Sequence, residues 1–479
     1  MGVEATHLRA GRRSRLRALE AQRLIDLLAL RVAPSAAAGL IAYSHMGNLG
    51  EGLIVFLAML VTTQLIDSSR FPLALMPAAR LAVALVAPLL GGALAWLVIS
   101  AAGDPYPVTQ FEAVVLGAWL VLALGGWIKA RLGEGMRARL AVIGPRDFAV
   151  DLAAEIAASG LRTYEVVGWI GPEGPAEYRR MRWLGDLRDV RASVVEEGIE
   201  LLVCAPALVD TEGDRIEDVC ARVADECLDL PVRLIAANQL YEETFGHVPI
   251  GTIDAAWYRF IMHPNFRAAS PTSKRIFDLV GGATIGLLML PFLLVAAVAI
   301  KLGDRGPVFY RQLRLGEHGK SFEIVKLRTM RVDAQASGAR WAAADDDRIT
   351  RVGRILRRTH VDEIPQLWNV IRGEMTLVGP RPEQPDIVVE LERRFPHYTR
   401  RHLVKPGITG WAQLRCGYAG SELGTAWKLC HDLYYVKRRS VLIDALILAE
   451  TAVVAFHDAH RALRAPRERF LLHQESPHG

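Results

Sequence analysis

Long apolar runs dominate the first 130 residues of the chain, separated by short polar loops. The runs cover roughly 24–44, 53–66, 81–101 and 111–128. Each approaches the roughly 20 residues that a helix needs to cross a bilayer. The loops near 45–52 and 102–108 contain no Lys or Arg, whereas Arg70 and Arg80 flank the middle loop. The positive-inside rule predicts four transmembrane helices over 24–130, with both ends and the basic tail 1–23 on the cytoplasmic side. A buried helical bundle is the alternative.

From residue 137 to 252, short apolar runs alternate with amphipathic segments. This alternation predicts strands separated by helices, and therefore a parallel, Rossmann-like sheet. The first strand-to-helix turn reads Gly144-Pro145-Arg146-Asp147 and lacks the GxGxxG pattern. Pro145 also removes a backbone donor that a phosphate would need. We therefore interpret 137–252 as a degenerate regulatory or assembly domain that binds no dinucleotide.

A further long apolar segment covers 274–302 and has basic residues at both ends, Lys274 and Arg275 before it and Lys301 and Arg305 after it. A full crossing would place the rest of the chain outside the cell. Pro291 lies in the middle of the segment, where it removes a helical hydrogen bond and favours a kink. We predict a re-entrant helix-break-helix that returns to the cytoplasmic leaflet, and a fifth transmembrane helix is the alternative.

Beyond residue 304 the pattern is typical of a compact α+β unit. The segments 306–316 and 322–330 read as strands, the second alternating apolar and basic residues. At 351–358, arginines recur every three or four residues around Val352, Ile355 and Leu356, which predicts a helix with one apolar and one cationic face. This helix is either a solvated surface element or a face that meets lipid headgroups or phosphates.

Two adjacent acids, Asp362 and Glu363, come directly after that helix, at the predicted start of the next one. Pro365 fits only the first turn of a helix, because backbone N–H groups there lack intrahelical partners. Gly373 suits the C-terminal cap. The predicted apolar face consists of Ile364, Leu367, Trp368 and Ile371. This arrangement places Asp362 at or near the N-cap, where the helix dipole favours an ionised carboxylate.

A rigid turn, Gly379-Pro380-Arg381-Pro382, follows and presents one guanidinium. An ionised acid, a second acid beside it and an arginine nearby suit metal-assisted phosphoryl chemistry. Acids are also enriched in the first turns of helices for stability alone. The pair therefore needs its wider context before it indicates a site.

Composition and charge narrow the class of protein. The 479 residues predict two or three domains, and a hydrophobic content of 51% indicates membrane segments. A net charge of +5 is modest, and no basic patch interleaved with aromatic residues indicates nucleic-acid binding. Five cysteines without CxxC spacing argue against a disulfide or zinc framework. The apolar run 441–456 carries Asp444 and Glu450, so we expect it to be packed or interfacial, followed by a basic tail at 458–479.

From Lys274 to about Phe456 the chain resembles the bacterial sugar transferase family, the polyprenyl-phosphate hexose-1-phosphate transferases of the monotopic phosphoglycosyl transferase superfamily. The matching motifs keep one order and read KRIFD, GPVFYRQLRLG, FEIVKLRTM, DDDRITRVGRILRRTHVDEIPQLWNV, GEMTLVGPRPE, KPGITGWAQ and DLYYV. The N-terminal apolar runs and the Rossmann-like domain are similar to the long-form members that prime exopolysaccharide synthesis. The chain departs from the family at Leu290-Pro291, where members often have Ser before the proline, and at 412–421, which leaves sugar recognition open.

The resemblance implies roles for individual residues. Asp362 matches the nucleophile, and Glu363 matches its partner acid, expected to bind Mg²⁺. The residues expected to bind substrate phosphates are Arg381, Arg357, Lys326 and Arg328. The residues expected at the membrane and polyprenyl interface are Lys274, Arg275, Asp278 and Pro291.

The activity implied by the resemblance is transfer of a sugar-1-phosphate from a UDP-sugar to polyprenyl (undecaprenyl) phosphate. It would run through a covalent aspartyl intermediate and release UMP, as the priming step of exopolysaccharide, capsule or O-antigen synthesis. The implied partners are the UDP-sugar, the polyprenyl phosphate, membrane lipid and a second copy of the chain, but no nucleic acid. The implied location is the bacterial inner (cytoplasmic) membrane, with the catalytic domain 271–457 on the cytoplasmic face.

The expected fold class is a membrane protein of α plus α/β type. It combines four N-terminal transmembrane helices, a degenerate Rossmann-like α/β domain, and a re-entrant membrane helix (274–302) with a compact α+β catalytic domain. Two other functions stay open, namely an NAD-dependent nucleotide-sugar dehydratase or epimerase, and a non-enzymatic scaffold of polysaccharide assembly. The missing GxGxxG and the missing Tyr-x-x-x-Lys pattern in 137–252 argue against the first. The sequence does not identify the sugar, and UDP-glucose and UDP-galactose are the default expectations.

Overall fold

The computed structural model describes residues 32–65, 77–101, 108–133, 137–159, 163–171, 177–178, 181–205, 216–253, 257, 271–331, 348–395, 397–416 and 422–457. The chain divides into two compact units, Met1–Phe245 and Gly246–Gly479. The predicted tails at 1–23 and 458–479 lie outside the described residues, as do Arg70 and residues 417–421.

Four apolar helices open the first unit: α1 Ala33–Met46, α2 Leu49–Leu65, α3 Pro77–Ala101 and α4 Val108–Gly133. They overlap the four predicted apolar runs, and residues 24–31 of the first run lie outside the described residues. Small and branched side chains such as Ala38, Val55 and Ala118 form a shared buried core, while Leu97 and Leu120 are exposed. The apolar stretches in α2, α3 and α4 fall in the range of 10–17 residues, so the number of membrane crossings stays a prediction.

A six-stranded sheet forms the remainder of the first unit, in the order β3-β4-β2-β1-β5-β6. Its strands are β1 Ala138–Ile143, β2 Tyr164–Ile170, β3 Glu177–Tyr178, β4 Met181–Gly185, β5 Leu201–Cys204 and β6 Arg233–Ala236. All pairs are parallel except β3 with β4, and Val142 in β1 lies between Trp169 and Val203. The helices are α5 Arg146–Ser159, α6 Val190–Glu197, α7 Ile216–Cys227 and α8 Ala237–Thr244. The predicted parallel sheet is confirmed.

The second unit contains a long helix, α9, at Pro271–Asp304. Its segment Thr272–Gly303 is the only one within the described ranges that is long and apolar enough to cross a membrane. The expected non-helical break at Pro291 is absent, because the helix continues through this residue. A proline removes only one backbone donor, so hydrogen bonds on either side can maintain the helix. The path of α9 through the bilayer, re-entrant or spanning, stays a prediction.

A hairpin and a short helix pack next to α9. Both predicted strands are present, β7 Phe309–Leu315 and β8 Ser321–Leu327, and they pair antiparallel. Helix α10, Arg351–Arg358, is capped by Thr350, whose hydroxyl accepts from the Gly353 N–H at 2.9 Å. Gly353 lies against the Thr329 carbonyl, where any Cβ would collide. Leu356 packs against Ala296 and Ile300 of α9. This contact fixes the end of α10, from which the segment with Asp362 and Glu363 begins.

The other elements of this unit are α11 Leu367–Arg372, β9 Thr376–Val378, α12 Pro385–Arg394, β10 Gly407–Thr409, α13 Trp411–Cys416, α14 Glu422–Arg438 and α15 Val441–His457. Strands β9 and β10 are parallel. In α15, Asp444 and Glu450 are buried, so this apolar helix is packed within the unit. Residues 246–252, which the sequence analysis grouped with the middle domain, hydrogen-bond here, since the Val248 N–H donates to the Cys430 carbonyl at 3.1 Å.

Candidate active site

Asp362 and Glu363 lie in a 3₁₀ turn, Val361–Gln366, that connects α10 to α11. His360 precedes this turn in the left-handed region with φ 56°, and no side chain caps the turn. The first α-helical residue is Leu367, so the predicted helix begins later than expected. Gly373 ends α11 in the left-handed conformation with φ 80°, as predicted.

The predicted apolar face of this helix is wrong. Leu367 and Val370 are buried, whereas Trp368 is 56% exposed and Ile371 is 46% exposed. The reason is that a 3₁₀ turn has about 3.0 residues per turn, so a stretch that begins with one does not keep the α-helical phase. Trp368 and Ile371 therefore present an apolar surface outward.

Glu363 is held by two cations from distant parts of the chain. Its Oε1 accepts from Lys326 Nζ at 2.8 Å and from Arg381 Nη2 at 2.7 Å, and its Oε2 accepts from Arg381 Nη1 at 3.3 Å. Burial opposes ionisation of Glu363, but the charges and hydrogen bonds of Arg381 and Lys326 win and hold the pKa of Glu363 far below its ordinary value. Glu363 is therefore a fixed anion between two cations.

Asp362 has a different environment, although it is the neighbouring residue. Its side chain is buried, with the residue 8% exposed, and its carboxylate forms no hydrogen bond or ion pair with any described residue. Burial, and then the charge of Glu363, raise the pKa of Asp362, while the charges of Lys326 and Arg357 act in the opposite direction. A basic carboxylate without partners, next to cations, is suited to attack an electrophilic phosphorus.

The turn that presents Arg381 is fixed through its backbone. The Arg401 guanidinium donates from Nη2 to the Arg381 carbonyl at 2.9 Å, and Arg314 donates from Nη1 to the Pro382 carbonyl at 3.0 Å. The Gly407 N–H donates to the Pro380 carbonyl at 3.0 Å. Gly379 packs directly on the backbone of residues 405–407, where a Cβ would collide. The backbone that carries Arg381 is therefore held in place before any ligand binds.

The other predicted phosphate ligands differ in how they lie. Lys326 is part of the centre. Arg357 donates from Nε to Thr329 Oγ1 at 2.9 Å, and its charge acts on Asp362. Arg328 is buried and donates from Nε to the Pro307 carbonyl at 2.6 Å, so it holds the turn before β7 and has only 7% of its surface exposed.

Three of the four residues predicted at the membrane interface form contacts at the N-terminal end of α9, which is called its base from here on. Arg275 donates to the Val370 and Ile371 carbonyls at the end of α11, at 2.6 and 2.5 Å. Asp278 is buried, and it accepts from the Thr376 hydroxyl at 2.7 Å and from the Leu377 N–H at 3.1 Å. Lys274 pairs with Asp278 at 3.2 Å. Pro291 is exposed on the same helix, further along its length.

A second acid completes this base network, defined here as Lys274, Asp278, Thr376, Tyr435 and Asp444. Asp444 accepts from Lys274 Nζ at 2.5 Å and from the Tyr435 hydroxyl at 2.7 Å. The Tyr435 hydroxyl also lies 2.7 Å from the Val378 carbonyl, directly before the Arg381 turn. Sequence reasoning did not find these contacts, although Asp444 inside an apolar run was a signal of a buried charge.

A buried ion pair behind the Arg381 turn was also missed. Arg401 donates from Nε and Nη2 to Asp432 Oδ2 at 3.0 and 2.7 Å, and from Nη1 to the Tyr398 hydroxyl at 2.9 Å. Asp432 opens the DLYYV motif, and its place among apolar residues was the available signal.

The donor set at the centre consists of hard carboxylate oxygens. Within the described ranges, no group of three or more His, Cys, Asp and Glu side chains is arranged to hold a metal ion. Mg²⁺ bound together with a phosphorylated substrate needs only one or two carboxylates, because phosphates and water supply the other oxygens. The Glu363 carboxylate fits this mode of binding.

Comparison with known proteins agrees with the motifs. Residues 269–458 match the bacterial sugar transferase family. The chain is 43% identical over 178 residues to a UDP-N-acetylgalactosamine-undecaprenyl-phosphate N-acetylgalactosaminephosphotransferase from Aeromonas hydrophila, covering 37% of this chain and 42% of that protein. It is 32% identical over 318 residues to an undecaprenyl-phosphate glucose phosphotransferase from Komagataeibacter xylinus, covering 64% of this chain and 57% of that protein.

A UDP-glucose:undecaprenyl-phosphate glucose-1-phosphate transferase from Caulobacter vibrioides is 42% identical to this chain over 187 residues, covering 39% of this chain and 70% of that protein. The first two relatives are matched over 42% and 57% of their length, so the similarity spans about half of each. The match to the Caulobacter protein covers more than two thirds of it.

Proposed function

Because the chain belongs to the bacterial sugar transferase family, we propose that it transfers a sugar-1-phosphate from a UDP-sugar to undecaprenyl phosphate, with Asp362 as the nucleophile. The reaction would prime the synthesis of an exopolysaccharide, capsule or O-antigen. The observation that supports this most strongly is the contrast at the centre, where Glu363 is neutralised by Lys326 and Arg381 while Asp362 is left without a partner among the described residues.

In the first step, an Asp362 carboxylate oxygen attacks the phosphorus that carries the sugar. A bond forms between this oxygen and the phosphorus, and the bond from the phosphorus to the bridging oxygen of the diphosphate breaks. UMP leaves with that oxygen and its electron pair. Negative charge develops on the phosphate oxygens during this step, and the fixed guanidinium of Arg381 and the ammonium of Lys326 stabilise it.

In the second step, a phosphate oxygen of undecaprenyl phosphate attacks the same phosphorus. The bond to Asp362 breaks, its carboxylate is restored, and undecaprenyl-diphosphate-sugar is the product. Splitting the transfer into two displacements at one phosphorus is covalent catalysis, and it predicts ping-pong kinetics.

Glu363 is the residue that would hold Mg²⁺. When bound, this ion would supply charge neutralisation on the diphosphate oxygens. A cation at Glu363 would compete with the two ion pairs of this residue. Lys326 and Arg381 therefore reduce the negative charge that Glu363 offers to a cation.

The membrane location belongs to the same proposal. Helix α9 carries an exposed apolar surface that includes Leu287, Phe292 and Leu294, and its base is tied to the centre through Arg275 and Asp278. We propose that the apolar surface of α9 lies in the inner membrane, which holds the centre at the cytoplasmic surface where a lipid phosphate is presented.

The test is Asp362→Asn in the full chain, purified in detergent or lipid nanodiscs. Wild-type protein with UDP-sugar, undecaprenyl phosphate and Mg²⁺ should release UMP, and sugar-labelled UDP-sugar alone should label the protein. Asp362→Asn should lose both signals, by roughly 1000-fold or more, because UMP release and protein labelling both require the covalent bond between Asp362 and the phosphorus. Asp386→Asn, at an exposed position in α12, is the matched control and should keep both.

Labelled protein from Asp362→Asn, or unchanged UMP release, would overturn the assignment of the nucleophile. A panel of UDP-glucose, UDP-galactose and UDP-N-acetylgalactosamine identifies the sugar.

A further inference from the structure

Two cysteines of the first unit place their sulfur atoms side by side. Cys204 is the last residue of β5, and Cys220 lies in the first half of α7, 16 positions further along the chain. Their Sγ atoms are 2.7 Å apart. All five cysteines of the chain are free, so this is a contact between two thiols and not a bond.

The distance between the two sulfurs indicates the chemistry that they suit. Two thiolates that share one tetrahedral zinc ion, with Zn–S bonds of about 2.3 Å, lie about 3.7 Å from each other. The two sulfurs of this pair, at 2.7 Å, are too close for that arrangement. The bond length of a disulfide is about 2.05 Å, so only a small movement separates the pair from a covalent bond.

Both sulfurs are carried by elements that the core of the first unit holds in place. Cys204 lies in a strand that is paired with β1 on one side and with β6 on the other. Helix α7 packs on the sheet through Val219 and Val223, which belong to the same buried cluster as Cys204. Near the end of α7, the Arg191 guanidinium donates to the Glu226 carbonyl at 2.6 Å. The two thiols are therefore brought together by the tertiary fold.

The two thiols differ in exposure and in acidity. Cys204 is only 1% exposed, whereas Cys220 is half-buried, so a small solute can reach Cys220 first. The hydrogen bond between the two sulfurs lowers the pKa of Cys220, and this bond together with burial raises the pKa of Cys204. A thiolate is the form of cysteine that reacts with oxidants. Cys220 is thus suited to react first and Cys204 to react second.

We propose that Cys204 and Cys220 are a redox modification site, at which a peroxide converts the two thiols into a reversible disulfide. The Cys220 thiolate attacks one oxygen of hydrogen peroxide, the O–O bond breaks, and hydroxide leaves, which gives a sulfenic acid at Cys220. The Cys204 sulfur then attacks the Cys220 sulfur and the S–O bond breaks. The departing hydroxide and the two thiol protons leave as water, so that two thiols and one peroxide give one disulfide and two waters.

The bond would tie α7 covalently to the carboxyl end of β5. Disulfides in reducing compartments are usually transient and regulatory, which fits a pair that is free in the resting protein. A thiol reductant restores the pair by attacking one sulfur of the bond through a mixed disulfide. This site does not depend on the proposed transferase activity, because it lies in the other unit of the chain.

The test uses the full chain in nanodiscs, reduced with dithiothreitol, freed of the reductant and then treated with hydrogen peroxide. The protein is unfolded in N-ethylmaleimide, which blocks the remaining thiols, and digested with trypsin, which cleaves after Arg215 between the two cysteines. Mass spectrometry should find the peptides of Cys204 and Cys220 joined, with the mass of two hydrogens lost. Dithiothreitol added after the peroxide should abolish the linked species.

Three variants identify the role of each thiol. Cys204→Ser should stop at the sulfenic acid of Cys220, which dimedone traps, and Cys220→Ser should give neither product. Cys227→Ala, two turns further along α7, is the matched control and should form the disulfide as the wild type does.

Three results in the wild type would overturn the proposal. The first is Cys220 converted to a sulfinic acid while Cys204 is still blocked by N-ethylmaleimide. The second is a link between two copies of the chain instead of within one. The third is the recovery of both thiols in full after an excess of peroxide.

Discussion

Buried acids occur in two regions of the second unit, and the two regions treat them in opposite ways. In the base network, Asp278 and Asp444 accept hydrogen bonds from Lys274, Thr376, Tyr435 and the Leu377 N–H. At the candidate centre, Asp362 is also buried but accepts none from the described residues. A buried polar group without partners costs roughly 1–3 kcal/mol of stability. The acids of the base network therefore stabilise the position of α9. At the centre, by contrast, one acid stays available to a ligand.

After Asp362→Asn, the largest loss of activity should come from Arg381→Ala. The substitution removes one of the two cations on Glu363 and the guanidinium expected on the diphosphate. Losing one preorganised electrostatic donor typically lowers kcat by about 100- to 1000-fold, and we expect a decrease of that order in UMP release. Stopped assays of UMP release under saturating UDP-sugar measure it.

Arg311→Ala is the matched control for this variant. Arg311 is exposed on β7 and forms one ion pair at the surface, 3.6 Å long, with the exposed Glu323. It should retain wild-type activity. An Arg381→Ala protein with normal turnover would show that the cations on Glu363 have a structural purpose only.

Asp278→Asn should give a smaller effect of a different kind. The amide keeps the shape of the side chain but weakens the contacts to Lys274 and Thr376, so we expect a loss of about 1–3 kcal/mol in stability. The melting temperature in detergent should fall, while the protein that remains folded should keep its turnover per molecule. Asp386→Asn again serves as the exposed control.

A normal melting temperature combined with lost activity would contradict this division, since it would place Asp278 in the reaction and not in the scaffold.

The smallest effect concerns Glu155 in the first unit, which is partly buried and accepts a hydrogen bond. Glu155 accepts from the Tyr241 hydroxyl at 2.9 Å, and burial raises its pKa to about 7. Because this folded-state pKa exceeds the unfolded one, the stabilisation is complete below about pH 4.5 and is lost as the pH rises through about 7. Hydrogen exchange in α5, corrected for the intrinsic rate, should show less protection at pH 8 than at pH 5.5.

Glu155→Gln should remove this pH dependence, and Glu165→Gln, at an exposed position of β2, should leave it unchanged. If protection in the wild type rises from pH 5.5 to pH 8, the sign of the linkage is wrong and Glu155 is ionised at little cost.

Sequence patterns were sufficient for the elements whose side chains follow a single period. The apolar runs gave α1 to α4, the alternating runs gave β1, β2, β5 and β6, and Gly373 gave the end of α11. The same reasoning failed at Ile364–Ile371, because the 3₁₀ turn before Leu367 changes the phase of the helix. A periodic pattern carries no information on where one helical geometry replaces another.

The candidate centre was predicted through Asp362, Glu363, Lys326 and Arg381, but not the way in which these residues are joined. Lys326 lies 37 residues before Glu363, and two contacts of the base network join residues that are 98 and 170 positions apart. Such contacts depend on the tertiary fold, which local periodicity does not encode. Arg401 was missed for the same reason, since it is an ordinary basic residue until its neighbours are known.

The way in which the Arg381 turn is held has a consequence for protein engineering. Arg401, Arg314 and the Gly407 N–H all grip main-chain carbonyls, at Arg381, Pro382 and Pro380, and none of these three contacts uses the side chain at 381. The backbone conformation at position 381 therefore does not depend on which side chain is present. Side chains with other charge or reach, including unnatural ones, can therefore be exchanged at position 381 against a constant backbone.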